Sequence, residues 1–328
     1  MKLLIPGGAG YIGSHMVKYA QERGHEVIVL DDFSTGHEWA VKDCEVLHVN
    51  LLDQEKLAQL IKGRFFDGVI HFAAKSLVGE SVRKPELYYR NNIVGTLNLV
   101  NEMLKNDVRN LVFSSTAAIF GNPVSGRISE NCPRNPTNPY GQSKLMVENM
   151  LQDICSAYDF NATCLRYFNA AGADKSGEIG ESHDPETHLI PNILKSILAA
   201  GDPLKVFGND YDTHDGTCVR DYVHVTDIAQ AHLLSLDYMM EISGFSAFNL
   251  GNGNGFSVLD VISSCERVVN KTISYDLDFP RPGDPAILVA DSSAALREIN
   301  WKPKFNDLEV IIQSAWNWHK TLNDIKYP

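Results

Sequence analysis

The sequence predicts an α/β protein built on a doubly wound parallel sheet, with a smaller C-terminal α/β domain. Three observations lead to this fold class. Short apolar runs alternate with amphipathic stretches through the first half of the chain, a glycine-rich turn joins the first run to the first such stretch, and the alternation loosens after Asn169. Strands that alternate with helices form βαβ units, whose strands pair in parallel and whose helices cover the sheet.

The individual elements follow from this alternation. Apolar runs predict strands at 2–5, 26–30, 44–48, 68–71, 110–114 and 162–166. Apolar residues at helical spacing predict helices at 11–23, 53–61, 86–106 and 140–158. Segment 172–185 is rich in Gly, Asp, Glu and Ser and predicts a long loop, with further strands at 204–207, 248–250 and 288–290. We therefore expect one domain over residues 1–170, to which a segment near 223–250 returns, and a second over 171–328.

Size and composition exclude several classes of protein. The 328 residues, 44% of them hydrophobic, suffice for one large or two medium domains. A net charge of −12 disfavours nucleic acid and anionic membrane surfaces as partners. No apolar run approaches the length of a membrane span, and the N-terminal run is too short for a signal peptide. The six cysteines lack zinc or redox spacing, which predicts reduced thiols in a cytoplasmic protein.

A glycine-rich turn lies between the first predicted strand and the first predicted helix. Gly7, Gly10 and Gly13 have the spacing GxxGxxG. The first two glycines allow a tight turn and the close approach of a pyrophosphate, and the third allows the helix to pack closely on the strand. The N-terminus of the helix offers unpaired N–H groups to the phosphates. The alternative is an ordinary turn, but the strand–turn–helix context favours a Rossmann-type dinucleotide site.

The acidic pair after the second predicted strand selects the cofactor. Asp31 lies at the expected distance from the glycine turn, and its carboxylate can accept hydrogen bonds from the adenosine ribose hydroxyls. A 2′-phosphate would be repelled by Asp31 and Asp32, and the next few residues include no Arg or Lys. The sequence therefore predicts NAD rather than NADP as the cofactor.

A tyrosine and a lysine four residues apart form a candidate catalytic pair. Tyr140 and Lys144 share one face of a predicted helix. A free phenol, with a pKa of about 10, is a poor base at neutral pH. A neighbouring ammonium group favours the phenolate, which can then take a proton from a sugar hydroxyl. Thr116 can donate to the same substrate oxygen, although a cap or turn role is the alternative.

Longer motifs carry a resemblance to a known family. The chain resembles the extended short-chain dehydrogenase/reductase family in these motifs: GGAGYIG at 7–13, Asp31, HFAA at 71–74, YYRNN at 88–92, SST at 114–116, PYGQSK at 139–144 and RYFNAAG at 166–172. Within that family, the chain resembles the UDP-glucose 4-epimerase branch in four further motifs: GESHDPETHLIP at 180–191, FGNDYDTHDGTCVRDYVHV at 207–225, NLGNGNGFSV at 249–258 and RPGDP at 281–285. The resemblance implies NAD-dependent 4-epimerisation of UDP-glucose and UDP-galactose through a transient 4-keto sugar, with Tyr140 as the base beside Lys144 and Thr116.

The resemblance also implies which residues bind each ligand. For NAD, in the first domain, it implies Gly7, Gly10, Tyr11, Ile12, Gly13, Asp31, Asp32, Phe33, Ser34, Thr35, Gly36, Asn50, Leu51, Phe72, Ala73, Ala74, Asn91, Thr116, Tyr140, Lys144 and Phe168. For the nucleotide sugar, held largely by the second domain, it implies Thr116, Tyr140, Asn169, His188, Leu189, Phe207, Arg220, Arg281 and Asp284. The two arginines would clasp the diphosphate, and Asp284 would contact the uridine ribose.

Some of these assignments have simpler alternatives. Arg220 and Asp221 can form a local ion pair, Phe207 can be a core residue, and Asn169 can be a turn residue. Many relatives have Asp where this chain has Asn50, whose carbonyl oxygen can still accept a hydrogen bond from the adenine amino group. The family also implies a homodimer, formed through helices 86–106 and 140–158.

Other functions remain open at the level of sequence. A nucleotide-sugar dehydratase needs acidic residues after Thr116, where this chain has Ala117 and Ala118. A dehydrogenase or another epimerase of the same fold would use the same Tyr–Lys pair. A catalytically silent NAD sensor would not need that pair.

Four neighbouring residues of the predicted loop and the segment after it could bind a metal. His183, Asp184, Glu186 and His188 have ligand side chains, but their loop context favours pocket or loop roles, so no metal is predicted.

Overall fold

The computed structural model describes residues 1–123, 126–199, 203–281 and 284–326. The strands are β1 Lys2–Pro6, β2 Glu26–Asp31, β3 Glu45–His48, β4 Gly68–His71, β5 Asn110–Thr116, β6 Asn161–Tyr167, β7 Asn169–Ala171, β8 Leu204–Phe207, β9 Val219–His224, β10 Phe245–Leu250, β11 Gly255–Ser257, β12 Tyr275–Asp278 and β13 Ile287–Leu288. The α-helices are α1 Tyr11–Gln21, α2 Gln54–Ile61, α3 Val78–Arg83, α4 Pro85–Tyr88, α5 Gly95–Lys105, α6 Pro139–Ala157, α7 Leu189–Ala199, α8 Val225–Met239, α9 Val258–Val269, α10 Ser293–Glu298 and α11 Leu308–Lys326.

The central sheet is parallel throughout. Among the described residues it has seven strands, in the order β3-β2-β1-β4-β5-β6-β10. The chain runs outward from β1 to β3 and then crosses back to β4. This is the Rossmann strand order, and its reversal between β1 and β4 places a crevice at the carboxyl ends of these strands. The predicted fold class is confirmed.

Helices cover both faces of this sheet, as a doubly wound fold requires. Helices α1 and α8 pack on one face, where Met16 is fully buried. Helices α2, α5 and α6 pack on the other, where Leu99 is fully buried. In β1, Leu3 and Ile5 belong to the first core cluster and Leu4 to the second. This alternation follows the two-residue period of a strand.

Several strands extend further than their apolar runs predict. Strands β1, β2, β5 and β6 end at Pro6, Asp31, Thr116 and Tyr167. These added residues continue the parallel pairing at the carboxyl ends, where a polar or proline residue ends the apolar run but not the backbone hydrogen bonding. The strand ends therefore carry side chains into the crevice.

The helix predicted over 86–106 is continuous in the structure, but it is not α-helical throughout. The structure divides this segment into α4, a π-helical stretch at Tyr89–Val94, and α5. Within that stretch the Asn92 side chain pairs with both backbone groups of Lys75 and donates to the Ser143 hydroxyl. Widened helical turns of this kind are rare and often lie at functional sites. Here the wide turn brings Asn91 into the crevice wall.

The strands outside the central sheet and helices α7, α9 and α11 form a second layer beyond the crevice. Strand β9 pairs with β7, β11 and β13, and β8 pairs with β12. Helices α7, α9 and α11 enclose a separate core that includes Ile193, Ile262 and Ile311. The predicted strand 288–290 is instead Ile287–Leu288, because the chain then leaves the ladder and Ala290 bridges to Ile128. The division of the chain at residue 170 stays a prediction.

All six cysteines are free thiols. None of the described helices combines the length and the apolar character that a membrane crossing needs.

Candidate active site

A cavity of ≈ 460 Å³ opens at the carboxyl ends of the central strands. Its wall includes these predicted site residues: Gly7, Gly10, Tyr11, Ile12, Gly13, Asp31, Asp32, Ser34, Thr35, Gly36, Asn50, Leu51, Phe72, Ala73, Ala74, Asn91, Thr116, Tyr140, Lys144, Phe168, Asn169, His188, Leu189 and Arg220. Phe33, Phe207, Arg281 and Asp284 do not line it. Glu181, Tyr167 and Tyr222 line it although the sequence analysis did not select them.

The glycine turn packs against the end of β4. Gly7 has a φ of +79°, and a Cβ there would lie 2.3 Å from the backbone nitrogen of Ala73. A Cβ at Gly13 would lie 2.1 Å from the carbonyl oxygen of Gly7. The third glycine therefore packs α1 against the turn itself, not against the strand as predicted.

Gly10 leaves room for a ligand at the start of α1. A Cβ there would meet only the Gly7 carbonyl oxygen, at 3.5 Å, so the turn keeps open space on its cavity side. Among the described residues, no side chain caps this helix end. The first N–H groups of α1 are thus available to an anion, which is the arrangement that binds a pyrophosphate.

Asp31 and Asp32 end β2 beside this turn. Asp31 accepts hydrogen bonds from the N–H groups of Ala9 and Phe33, both at 2.9 Å. Burial raises the pKa of Asp31. For Asp32, burial raises the pKa, but hydrogen bonds from Ser34 and Asn50 outweigh it and lower the pKa overall. Both carboxylates keep lone pairs toward the cavity, as ribose binding requires.

Two predicted cofactor residues, Asn50 and Phe33, contact neighbouring residues of the protein. The Asn50 carbonyl oxygen accepts the Leu52 N–H at 2.8 Å, and its amide donates to Asp32 at 2.5 Å. The second lone pair of that oxygen remains for an adenine amino group. Phe33 has a φ of +55° and packs edge-on to His48, with ring centroids 5.5 Å apart.

Helix α6 positions the candidate catalytic pair. Asn138 caps the helix by accepting the Gly141 N–H at 2.9 Å, and Pro139 occupies the first helical position. This sets Tyr140 in the first turn and Lys144 one turn later, both in the cavity wall. Thr116 accepts the Ala118 N–H at 3.1 Å, which leaves its hydroxyl proton free to donate. The predicted juxtaposition of the three residues is therefore observed.

The electrostatics of the pair differ from the sequence-based expectation. Burial raises the pKa of Tyr140, and a hydrogen bond with Thr116 partly opposes it. Burial lowers the pKa of Lys144 to about 7, although electrostatic interactions with Cys164 and Glu148 oppose this shift. The Lys144 ammonium group donates to the Ser114 carbonyl oxygen at 2.8 Å rather than to the phenol. The expected lowering of the tyrosine pKa by this lysine is thus absent from the protein alone.

Arg220 enters the opposite wall of the cavity from β9. Its guanidinium group donates to Asp284 at 2.5 Å. The alternative pairing with Asp221 is wrong, because the Asp221 carboxylate accepts backbone N–H groups of Asn252, Gly253 and Ala290. Asp284 therefore holds the guanidinium group of Arg220, and Arg220 still lines the cavity.

Phe207 and Arg281 contact each other and do not line the cavity. The Arg281 guanidinium carbon lies 4.4 Å from the centroid of the Phe207 ring. Phe207 is half-buried and joins none of the core clusters of the described residues, so its core interpretation is not supported. Asn169 begins β7 and is paired in register with Tyr222, which rules out a turn role.

The loop before α7 supplies a charged part of the wall. Glu181, 3% exposed, contacts the Nδ1 atoms of both His183 and His188. Burial lowers the pKa of His183, but hydrogen bonds to Glu181 and Glu186 outweigh it and raise the pKa to about 9. Asp184, a candidate metal ligand by sequence, does not belong to this group of side chains, and Glu181 takes its place. Its proximity to the His-rich motif in the sequence was the available signal.

Fold and site together define a dinucleotide-dependent enzyme: a Rossmann sheet, a phosphate-binding turn and a Tyr–Lys pair share one cavity. The chain belongs to the NAD dependent epimerase/dehydratase family, whose model matches residues 3–251.

Individual relatives are similar to this chain over nearly its whole length. The chain is 48% identical to a UDP-glucose 4-epimerase of Halalkalibacterium halodurans over 320 residues, which cover 98% of this chain and 96% of the relative. A crystal structure of UDP-glucose 4-epimerase from Brucella ovis in complex with NAD is 42% identical, with a TM-score of 0.93 over 96% and 97% of the two chains. The enzyme from Bifidobacterium longum, in complex with NAD+ and UDP, is 36% identical, with a TM-score of 0.93 over 98% of both chains.

Proposed function

We propose that this protein interconverts UDP-glucose and UDP-galactose by inverting C4 through a transient 4-keto sugar. The observation that carries the proposal is the meeting of Tyr140, Lys144 and Thr116 with the glycine turn around one cavity. The relatives that share nearly the whole chain are named for this activity, which supports the proposal. The reaction belongs to galactose and nucleotide-sugar metabolism.

The residues of the first part of the chain fit NAD. The space beside Gly10 and the free N–H groups of α1 would hold the pyrophosphate. Asp31 would accept from the adenosine ribose, and Asn50 would face the adenine. Bound NAD supplies a reversible hydride acceptor at C4 and a positive charge that favours the tyrosine phenolate.

The protein's own residues handle the proton. As phenolate, Tyr140 takes the proton of the sugar 4-hydroxyl, and as phenol it returns it after the sugar has turned. Thr116 donates to the same oxygen and holds it at the base. Because burial raises the pKa of Tyr140 and Lys144 does not lower it in the protein alone, the positive charge of bound NAD would be needed to populate the phenolate. Ala117 and Ala118 follow Thr116 and cannot transfer protons, so elimination of water is disfavoured.

The second part of the chain would anchor the nucleotide. The hexose must be held loosely enough to turn, so the fixed contacts belong on uridine diphosphate. Arg220 and Arg281 would bind the diphosphate, and Asp284, which orients Arg220, would also reach the uridine ribose. Asn169, His188 and Leu189 complete the cavity wall, and Phe207 supports Arg281.

Arg220→Ala is expected to raise the KM for UDP-galactose by roughly 10–100-fold, the worth of a hydrogen bond to a charged group. The kcat should change much less, because the diphosphate contact is equally strong in ground and transition states. Initial-rate kinetics check this. Arg267→Ala removes an exposed arginine that pairs with Glu309 and serves as control. A large fall in kcat at unchanged KM would contradict the assignment.

The proposal is tested by incubating purified protein with UDP-galactose and no added NAD. We expect UDP-glucose to form without accumulation of NADH. Dependence on added NAD with stoichiometric NADH would indicate a dehydrogenase of the same fold. Turnover of other UDP-hexoses only would indicate another nucleotide-sugar epimerase, and NAD binding without any turnover would indicate an NAD sensor.

We further propose a homodimer formed through α5 and α6. Both helices bury one face in the same core cluster. Their outward faces expose apolar side chains: Val94, just before α5, is 43% exposed, Leu97 38% and Met146 44%. Neighbouring α3 adds exposed Val78 and Val82. Exposed apolar residues that cluster in this way are typical of an interface.

Light scattering at micromolar concentration should give twice the chain mass of 36.4 kDa. The double variant Leu97→Glu with Met146→Glu is expected to give the monomer mass, because it buries charge in the interface. Leu296→Glu, which alters an equally exposed leucine on α10, should stay dimeric. A wild-type monomer would overturn the proposal.

We also infer a cytoplasmic location. The six unpaired cysteines support it, since free thiols persist in reducing compartments.

A further inference from the structure

The loop before α7 brings four metal-ligating side chains to one point. They belong to Glu181, His183, Glu186 and His188, and their ligand atoms all lie within 4.8 Å of one another. Glu181 is almost fully buried, while His188 is the most exposed member. The active-site chemistry above uses neither carboxylate.

Three of the contacts between these atoms are close to the spacing of a tetrahedral metal site, whereas the fourth, between His188 and Glu181, is a short hydrogen-bond contact that a bound ion would lengthen. The Nδ1 atom of His183 lies 3.1 Å from Oε1 of Glu181 and 3.8 Å from Oε1 of Glu186. The Nδ1 atom of His188 lies 3.6 Å from the same Glu186 oxygen and also contacts Glu181. Bonds of about 2.0–2.1 Å in a tetrahedral site separate neighbouring ligand atoms by about 3.3–3.4 Å. Both histidines direct their Nδ1 atoms toward the two carboxylates.

Surrounding groups hold the ligands in place. Oε1 of Glu186 accepts the N–H groups of Thr187 and His188 at 2.9 and 3.0 Å. Oε2 of Glu186 lies 3.3 Å from the Lys195 ammonium nitrogen. The Glu181 carbonyl oxygen accepts from the Trp318 indole at 2.8 Å. Such outer contacts fix ligand orientation in metal sites.

We propose that Glu181, His183, Glu186 and His188 bind one zinc ion in a closed, structural site. Two imidazole nitrogens with two carboxylates suit zinc, whereas magnesium and calcium prefer sites made of oxygen alone. Four protein ligands fill the tetrahedron and leave no position for substrate. The sequence alone favours pocket and loop roles for these residues and does not predict this site.

The ion would tie three parts of the chain together. The His183 ring packs edge-on to Tyr11 of α1, with centroids 6.1 Å apart. Trp318 of α11 holds the Glu181 backbone from the other side. His188 would give Nδ1 to the metal and keep Nε2 for the cavity. Zinc therefore stabilises the loop that closes this wall, and the proposal stands independently of the reaction catalysed.

The test uses the purified full chain, stripped with a chelator and then dialysed against Zn²⁺ or Co²⁺ alone. We expect one metal ion per chain by elemental analysis, tetrahedral-type visible bands for Co²⁺ that Zn²⁺ abolishes, and a raised midpoint of thermal unfolding with Zn²⁺. Mg²⁺ should not compete. Less than stoichiometric Zn²⁺ at micromolar concentration, or an octahedral Co²⁺ spectrum, would show that the cluster holds only Glu–His ion pairs.

Variants locate the ion. His183→Ala and Glu186→Gln are expected to weaken Zn²⁺ binding roughly 100-fold or more, since they remove ligands whose outer contacts alone are worth 10–100-fold. His214→Ala alters the separate cluster of His214, Asp215 and Asp260 and should bind normally. Full binding by both ligand variants, or loss in His214→Ala, would overturn the assignment. If His183→Ala does not fold, Glu186→Gln and the wild-type cobalt spectrum still decide.

Discussion

Tyr140→Phe is expected to lower kcat by about 10²–10⁴-fold, the usual contribution of a positioned acid–base group. The change removes one hydroxyl from the first turn of α6 and no helix contact, so fold and NAD content should persist. Steady-state kinetics with UDP-galactose, together with NAD released on denaturation, give the two readings. The loss arises because Tyr140 is the phenol that forms a hydrogen bond with Thr116 and lies one helical turn from Lys144.

A matched control separates this loss from general damage to the cavity. Tyr167→Phe removes a hydroxyl from the same wall, where it pairs with the Ser114 hydroxyl. We expect it to lose less than roughly tenfold, since only a neutral hydrogen bond is removed. Equal losses in the two variants, or unchanged turnover by Tyr140→Phe, would refute the assigned base.

Glu148→Ala is expected to lower the free energy of unfolding by about 3–5 kcal/mol, because it strands a buried cation. Glu148 is fully buried two turns beyond Tyr140 on α6. Arg166, 3% exposed, binds both of its oxygens, at 3.0 and 2.7 Å, and the Ser115 hydroxyl donates at 2.6 Å. The pair thus fixes α6 to β5 and β6. Urea unfolding of the variant measures the effect.

The control is a glutamate–arginine pair at the surface. Glu45→Ala breaks a 2.6 Å contact with Arg64 in which the glutamate side chain is 51% exposed. Exposed pairs contribute about 0–1 kcal/mol, so this change should be small. A Glu148→Ala variant no less stable than Glu45→Ala would show that burial does not set the strength of the first pair.

The parts of this protein that the sequence predicts well are local. The glycine turn, Asp31 and the Tyr–Lys pair each occupy a few adjacent residues, and strand–helix alternation fixes where they fall in the sheet. A parallel sheet then brings all strand ends to one edge. These features therefore reach the same cavity without any knowledge of long-range contacts.

The parts that escaped prediction depend on partners distant in the chain. Arg220 finds Asp284, 64 positions later, rather than adjacent Asp221, whose carboxylate is taken by backbone groups. Asn92 widens a helix by bonding Lys75 and Ser143, which helical periodicity alone does not reveal. Glu181, rather than Asp184, belongs to the loop cluster, because the fold of the loop decides which side chains point toward one another.

In the proposed reaction a hydride leaves C4 and returns to the same carbon within one cavity. Conversion of UDP-galactose carrying deuterium at C4 tests this step. We expect UDP-glucose that retains the deuterium at C4, with no exchange into solvent and no transfer to unlabelled substrate present in the same tube. Product that has lost the label to water would refute hydride return, because it would mean that C4 is inverted by proton exchange.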